Sequence, residues 1–286
     1  MRVRFTRGDF ILQVGDRGGQ VTHKFDLDTA LERKDESTFL GVTSRDWWVE
    51  RGPHGGFLAA LMLRALKSTV DDPARPVRSL TVHYIAPPTH GPVEVTTALE
   101  RVGKSRSSAS ARLNQNGETK ALALAAFSSA WESVDWADNA MPDVARYGDL
   151  DPMPVDDGIT PRFFENFDAR PAIGDWPFTG AKRALSGGWI RLAEPRPVDD
   201  LAVTAFADAW MPSVFTRLDR PMAVPTVDLT VHFRTAFPPV ADPEDYVLVV
   251  FRSETAAEGF FVEDGEIWSS NGTLIAQARQ LAVLMG

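Results

Sequence analysis

The chain has 286 residues, of which 44% are hydrophobic, and a formal net charge of −9. This length suits two domains of about 140 residues, and the hydrophobic content is enough for a full core. The acidic balance argues against general binding to nucleic acid or to anionic membranes. There is no cysteine, which excludes disulfides, thiolate catalysis and cysteine-based zinc sites.

The N-terminal region has little pattern over its first 18 residues. It is basic, but it has neither the long apolar segment nor the small-residue cleavage site of a signal peptide. We therefore expect a soluble, cytoplasmic protein. Gly19–Leu27 alternates in polarity and predicts a strand, whereas Asp28–Trp48 is mixed and is expected to fold over the core.

The most informative stretch is a helix that is apolar on nearly every side, from Phe57 to about Ser68. Such a helix must be enclosed by the protein, and it is too short to span a bilayer. His54, Gly55 and Gly56 precede it. The glycines leave the helix N-terminus without side chains, so its free N–H groups and its positive dipole end could hold a ligand oxygen. The alternative is a glycine-rich entry turn of a buried helix.

Strand patterns follow this helix. Four runs are predicted as strands, at Val77–Ile85, Val93–Val102, Ser105–Leu113 and Glu118–Trp131. Asn116-Gly117 predicts a hairpin turn between the last two. Glu132–Pro161 is then acidic, contains four prolines and lacks periodicity. We interpret it as a linker, which divides the chain into domains at residues 1–132 and 162–286, joined by residues 133–161.

The second half is predicted to repeat this order of elements. Asp199–Trp210 is its predicted helix, and Asn271-Gly272 is its last hairpin turn. The predicted strands are Phe163–Ala169, Trp189–Leu192, Val227–Thr235, Tyr246–Thr255, Phe260–Ser269 and Thr273–Leu284.

The two halves also repeat in sequence. Ser79–Tyr84 (SLTVHY) matches Asp228–Phe233 (DLTVHF), and Asn116-Gly117 matches Asn271-Gly272, 155 residues later. The recurrence of these motifs in the same order indicates an internal duplication. The sequence therefore predicts an α+β fold in which each half is a curved antiparallel sheet wrapped around a long apolar helix.

This architecture resembles a double hotdog, and the second half is similar to the type II acyl-CoA thioesterases. The resemblance runs from about residue 20. It rests on an aspartate at the start of one strand, a threonine on the next strand and a glutamine on the last strand, which are Asp228, Thr255 and Gln280. Ser253 is the alternative to Thr255. The family resemblance implies hydrolysis of acyl-CoA, a place in fatty acid metabolism, and assembly into dimers or larger homo-oligomers of double hotdogs.

The chemistry expected at these residues is attack by an activated water, because the chain has no cysteine and no Gly-x-Ser-x-Gly motif. Asp228 would act as general base. Thr255 and Gln280 would orient the water, since each can both donate and accept a hydrogen bond. The thioester oxygen would bind the amides at Gly55, Gly56 and Phe57, and His54 would contact the substrate. No metal and no cofactor is expected.

The first half has other residues at the matched positions, namely Ser79, Glu100 and Ala125. We therefore expect one site per chain, built from the first helix start and the strands of the second half. The second helix begins with Asp199 and Asp200, whose carboxylates would compete for its amides.

Two other functions remain open from the sequence. A hotdog hydratase or dehydratase could use His54 with Asp228 as its His–acid pair. A non-catalytic acyl-CoA-binding protein could share the same fold.

Overall fold

The computed structural model describes residues 23–155, 160–237 and 242–286. Its three α-helices are α1 (Lys24–Asp28), α2 (Gly55–Val70) and α3 (Asp200–Phe206). The strands of the first half are β1 (Glu32–Arg33), β2 (Thr38–Thr43), β3 (Val77–Tyr84), β4 (Gly91–Val102), β5 (Arg106–Gln115) and β6 (Glu118–Ser128). The strands of the second half are β7 (Phe167–Gly174), β8 (Ala184–Leu192), β9 (Thr226–Phe233), β10 (Val247–Ser253), β11 (Ala256–Ala257), β12 (Phe260–Ser269) and β13 (Leu274–Val283).

Within these described ranges, the thirteen strands form one antiparallel sheet. The strand order is β1-β2-β4-β5-β6-β3-β9-β13-β12-β10-β8-β7, and β11 pairs with β12 beside this path. The halves join where β3 pairs with β9. Each half therefore contributes an antiparallel block, and the two blocks are edge to edge in a single sheet.

Helix α2 is enclosed, as its composition predicts. Its apolar side chains are buried around the whole circumference, because strands β3 to β6 cover one side and α3 covers another. Asp71 ends the helix in a left-handed conformation with φ of 46°. Most buried apolar side chains of both halves belong to one continuous core. Because this core is shared, the predicted domain boundaries at residues 132 and 162 rest on the sequence repeat and not on a division of the core.

The predicted hairpin turns are confirmed. Asn116 and Gly117 both have positive φ, at 53° and 80°, as a tight hairpin between β5 and β6 requires. Gly272 has φ of 89° in the corresponding turn between β12 and β13. Asparagine and glycine occupy these positions because other residues tolerate positive φ poorly.

Two predicted strands differ from the structure. Of the predicted strand Gly19–Leu27, residues 19–22 lie outside the described part of the chain, and the remainder enters helix α1. Phe163–Ala169 begins as a 3₁₀ helix over Arg162–Asn166, and only then becomes strand β7. A short-range polarity pattern does not separate a tight helical turn from a strand.

The second helix is shorter than predicted. It ends at Phe206, and the amide of Asp208 bonds the carbonyl of Ala205 in a tighter turn. Pro212 follows soon after and cannot extend a helix. This early ending directs Asp208 toward the start of α2.

The segment between the halves covers part of the sheet. Its apolar side chains Met141, Val144, Tyr147 and Leu150 pack against Trp189, Leu248 and Trp268. The ring of Tyr147 stacks on Tyr246 at a centroid distance of 4.5 Å. The predicted linker is therefore also a cover for the outer face of the second half.

Candidate active site

The start of α2 is organised by His54, a buried residue at the N-cap position. Its Nδ1 accepts a hydrogen bond from the amide of Phe57 at 3.2 Å, and its Nε2 lies 2.7 Å from the carbonyl oxygen of Asp208. A carbonyl can only accept, so Nε2 carries the proton and Nδ1 carries none. The ring also stacks on Phe163 at 4.6 Å. Both ring nitrogens are thus engaged inside the protein.

The amides at this helix start already have acceptors. The N–H of Gly56 donates to Oδ2 of Asp208 at 2.8 Å, and the N–H of Phe57 donates to His54. Both amides of the predicted oxygen-binding site are thus engaged within the protein in this structure. The carboxylate of Asp208, which follows α3 of the second half, occupies the position expected for a substrate oxygen.

The two glycines are explained by what lies against them. A Cβ at Gly56 would be 2.7 Å from the carbonyl oxygen of Ala205 in α3. A Cβ at Gly55 would be 2.8 Å from Oδ2 of Asp208 and 3.2 Å from the hydroxyl of Tyr84. Tyr84 also donates that hydroxyl to the carbonyl of Gly55 at 2.8 Å. The glycines permit close contact between the two halves.

Gln280 lies on β13 and is 7% exposed. Its Nε2 donates to Oε1 of Glu263 at 2.9 Å, and its Oε1 accepts from the hydroxyl of Thr226 at 3.1 Å. Glu263 is 2% exposed, and its Oε2 accepts from both the amide and the hydroxyl of Ser213. Gln280 is thus held in a buried polar network.

Glu263 was not identified from the sequence, although a signal was present. Phe261, Glu263, Gly265 and Ile267 are alternate residues of β12, and all four are buried. Glu263 therefore occupies an inward position where strand alternation predicts an apolar residue. A carboxyl group at such a position is a candidate for a functional role.

Asp228 lies on β9, opposite His83 of β3 and Leu281 of β13. The register between β9 and β13 shifts next to Asp228, as at a β-bulge. Asp228 is half-buried. Burial, together with the negative charges of Asp208 and Asp228, raises the pKa of Tyr84 well above its ordinary value. Both carboxylates are therefore near the hydroxyl that bonds the start of α2.

Thr255 and Ser253 are placed differently. Thr255 is exposed in the hairpin after β10, where its carbonyl accepts from the amide of Val262. Ser253 is 8% exposed and lies one position beyond Arg252, the residue opposite Asp264. If the antiparallel pairing of β10 and β12 is extended by one residue, Ser253 lies opposite Glu263. Glu263 in turn lies opposite Gln280 on β13. This placement favours Ser253 over Thr255 as the hydroxyl nearest Gln280.

The carboxyl groups in this region have unusual environments. Burial raises the pKa of Asp208, against the opposing effects of His54 and the nearby glycine amides. Burial also raises the pKa of Glu263, and the charge of Asp208 adds to that effect. Perturbed carboxyl groups that cluster beside a helix N-terminus are typical of active sites.

The start of the second helix is occupied by its own acids. Asp199 accepts from the amide of Ala202 at 2.8 Å and pairs with Arg196. Asp200 pairs with Lys67 at 2.6 Å. This end is filled by carboxylates, as the sequence indicated, and they are largely neutralised by neighbouring cations.

In the ranges that the structure describes, no three histidine, aspartate or glutamate side chains are grouped so that they could hold a metal ion. The helices in those same ranges are all too short or too polar to cross a bilayer.

A continuous antiparallel sheet built from two repeated halves, each with a buried helix, defines a double hotdog protein. Two family profiles match the chain: acyl-CoA thioesterase N-terminal domain over residues 44–128, and acyl-CoA thioesterase C-terminal domain over residues 147–284. The chain belongs to the acyl-CoA thioesterase family and is a thioesterase.

Solved structures show the same fold over nearly the whole chain. A hotdog-fold protein of unknown function from Alicyclobacillus acidocaldarius is 29% identical, with a TM-score of 0.83, and covers 93% of this chain and 99% of its own. A putative thioesterase II from Thermobifida fusca YX is 22% identical, with a TM-score of 0.77 and coverage of 92% and 98%.

An acyl-CoA thioesterase II from Mycobacterium marinum is also 22% identical, with a TM-score of 0.74 and coverage of 91% and 97%. No match was found among curated protein sequences.

Proposed function

We propose that this protein hydrolyses acyl-CoA thioesters to a free acid and coenzyme A, through one site per chain assembled from both halves. One observation carries this proposal. The start of α2 in the first half meets Asp208 of the second half at 2.8 Å, beside Tyr84, and Asp228 of the second half lies opposite His83, the residue before Tyr84 on β3. This meeting of the two halves supports a site in which a carboxylate of the second half activates water beside the oxygen-binding helix start of the first half.

In the proposed reaction, Asp228 takes a proton from a water molecule as that water attacks the thioester carbonyl. Such a general base contributes about 10²–10⁴ in rate. The Gln280 amide orients the water, together with the hydroxyl of Thr255 or, as its buried position favours, Ser253. The carbon–sulfur bond then breaks, and the thiol of coenzyme A leaves.

The carbonyl oxygen is proposed to bind the amides of Gly55, Gly56 and Phe57. In the structure, the Asp208 carboxylate accepts the hydrogen bond from the N–H of Gly56. The thioester oxygen must therefore replace one carboxylate oxygen at the same donor.

The hydratase alternative is disfavoured by His54. Its Nδ1 caps α2, its Nε2 bonds the carbonyl of Asp208, and only 2% of the residue is exposed. A proton on Nδ1 would break the cap. His54 is better suited to shape the helix start than to exchange protons with a substrate.

The test is a panel of saturated and 2-enoyl acyl-CoAs of increasing chain length, assayed both for free thiol and for double-bond hydration. We expect thiol release that follows substrate loss one to one. Hydration without thiol release would identify a hydratase. Binding measured by calorimetry, without either reaction, would identify a non-catalytic acyl-CoA-binding protein.

A further inference from the structure

We propose that Glu263 is a positioning residue of the hydrolytic site, which holds the side-chain amide of Gln280 in one of its two possible orientations. This inference rests on the proposed function, because it assumes that Gln280 orients the attacking water.

The direction of each hydrogen bond fixes the orientation. The amide of Ser213 can only donate, so the oxygen of Glu263 that faces it must accept. The other carboxylate oxygen lies 2.9 Å from Gln280 and accepts from its Nε2. On its far side, Oε1 of Gln280 accepts from Thr226. The nitrogen of the Gln280 amide therefore points to Glu263 and its oxygen points to Thr226.

This arrangement leaves Gln280 with a defined pair of unused groups. One N–H of Nε2 and one lone pair of Oε1 remain after the bonds to Glu263 and Thr226. A water molecule beside Gln280 would therefore find the N–H donor on the side of Glu263 and the oxygen acceptor on the side of Thr226. An inverted amide would present the reverse polarity from the same position.

Position 263 must accept a hydrogen bond from the amide of Ser213 and another from Nε2 of Gln280, and only an ionised carboxyl group can do both. It offers an acceptor to Ser213 and another to Gln280 at once. A glutamine there has one acceptor and one donor. If its oxygen faces the Ser213 amide, its NH₂ faces Gln280, and Gln280 must invert to present its oxygen. The hydroxyl of Thr226 can accept as well as donate, so nothing opposes that inversion.

The surroundings of Glu263 show that the carboxyl group is not there for stability. It lies in the buried core with Ser213, Gln280 and the charge of Asp208 nearby, and burial raises its pKa. None of these described neighbours is a cation that would compensate the buried charge. A buried carboxylate without a cation partner is costly for folding, and its hydrogen bonds to Ser213 and Gln280 are what it supplies at this inward position of β12.

The experiment is a double-mutant cycle of Glu263→Gln and Gln280→Ala, with kcat and KM measured for one good acyl-CoA substrate. We expect Glu263→Gln to lower kcat by about 10- to 100-fold, as expected for misplacing a catalytic group. KM should change little, and the melting temperature should not fall. In the Gln280→Ala background, Glu263→Gln should cause no further loss, since no amide remains to be inverted.

Three results would overturn the inference. A Glu263→Gln variant with wild-type kcat would show that amide orientation has no role. Equal losses with and without Gln280 would show that Glu263 acts on something else. A fully active Gln280→Ala variant would instead refute the proposed function of Gln280 itself. If Glu263→Gln does not fold, Glu263→Asp replaces it, because it keeps the charge but withdraws the acceptor from Gln280, with a loss of kcat that must again depend on Gln280.

Discussion

Thr81 and Thr230 lie directly opposite each other on β3 and β9, with their hydroxyl oxygens 3.0 Å apart. Equivalent positions in this part of the repeat are separated by 149 residues, so the two threonines are each other's counterparts. The approximate two-fold relation between the halves therefore passes between them. It places Asp228 opposite His83, and its counterpart Ser79 opposite His232. The backbone is symmetric here, and the carboxylate is present on one side only.

This asymmetry predicts that Asp228→Asn abolishes most activity and that Ser79→Ala does not. Asparagine keeps the shape of Asp228 but cannot accept the proton, so we expect kcat to fall by about 10²–10⁴. Ser79→Ala is the matched control, because it changes the counterpart position in the same pair of strands. Steady-state kinetics with one acyl-CoA substrate measure both. Near-full turnover by Asp228→Asn would refute its role as base.

Gly56→Ala is expected to destabilise the protein, although alanine normally favours a helix. The new methyl group would lie 2.7 Å from the carbonyl oxygen of Ala205, and the α3 backbone cannot move without disturbing the core. We expect a loss of about 1–3 kcal/mol in the free energy of unfolding. Gly148→Ala is the control, since its methyl group would meet nothing within 4 Å. Urea denaturation of both variants checks this, and equal stability would argue against close helix packing.

Glu263→Gln is expected to stabilise the protein at neutral pH while it lowers activity. Because the pKa of Glu263 is raised in the folded state, the folded protein retains this proton at pH values where the unfolded chain has lost it. Stability is therefore fullest below the ordinary glutamate pKa and falls as the pH rises toward the folded-state value.

The glutamine side chain does not titrate, so the Glu263→Gln variant lacks this pH dependence of stability. Its free energy of unfolding should therefore exceed that of the wild type by an amount that grows from acidic to neutral pH, to roughly 1–3 kcal/mol. Denaturation across that pH range measures the difference. Asp208 has a raised pKa of its own and keeps part of the pH dependence in both proteins. An advantage that shrinks with rising pH would contradict the buried carboxylate.

Self-association is predicted through the outer face of the first half, which is exposed around Leu124 in the part of the chain that the structure describes. Leu124 is 55% exposed there, and its sheet neighbours Thr81 and Ser110 are small. The corresponding face of the second half is covered by the segment around Tyr147. We expect light scattering at micromolar concentration to give a multiple of the monomer mass, and Leu124→Glu to reduce it. A monomer in the wild type would refute the prediction.

The sequence by itself determined the duplication, the enclosed helix, the hairpin turns and the resemblance that led to Asp228 and Gln280. These features depend on local patterns, such as strand alternation, apolar residues around a whole helix and Asn-Gly turns. Periodicity records which side of an element is buried, so it can be recognised without knowing the neighbours.

Only the tertiary structure decided how the site is built. The sequence placed Gly56 at an open helix end, but the chain returns after α3 and brings Asp208 to its amide. It identified Gln280 but not Glu263, which holds that amide from the neighbouring strand. Contacts between residues distant in the chain depend on strand register and on where a helix ends. Neither is encoded in a local pattern, so these partners became visible only in the folded structure.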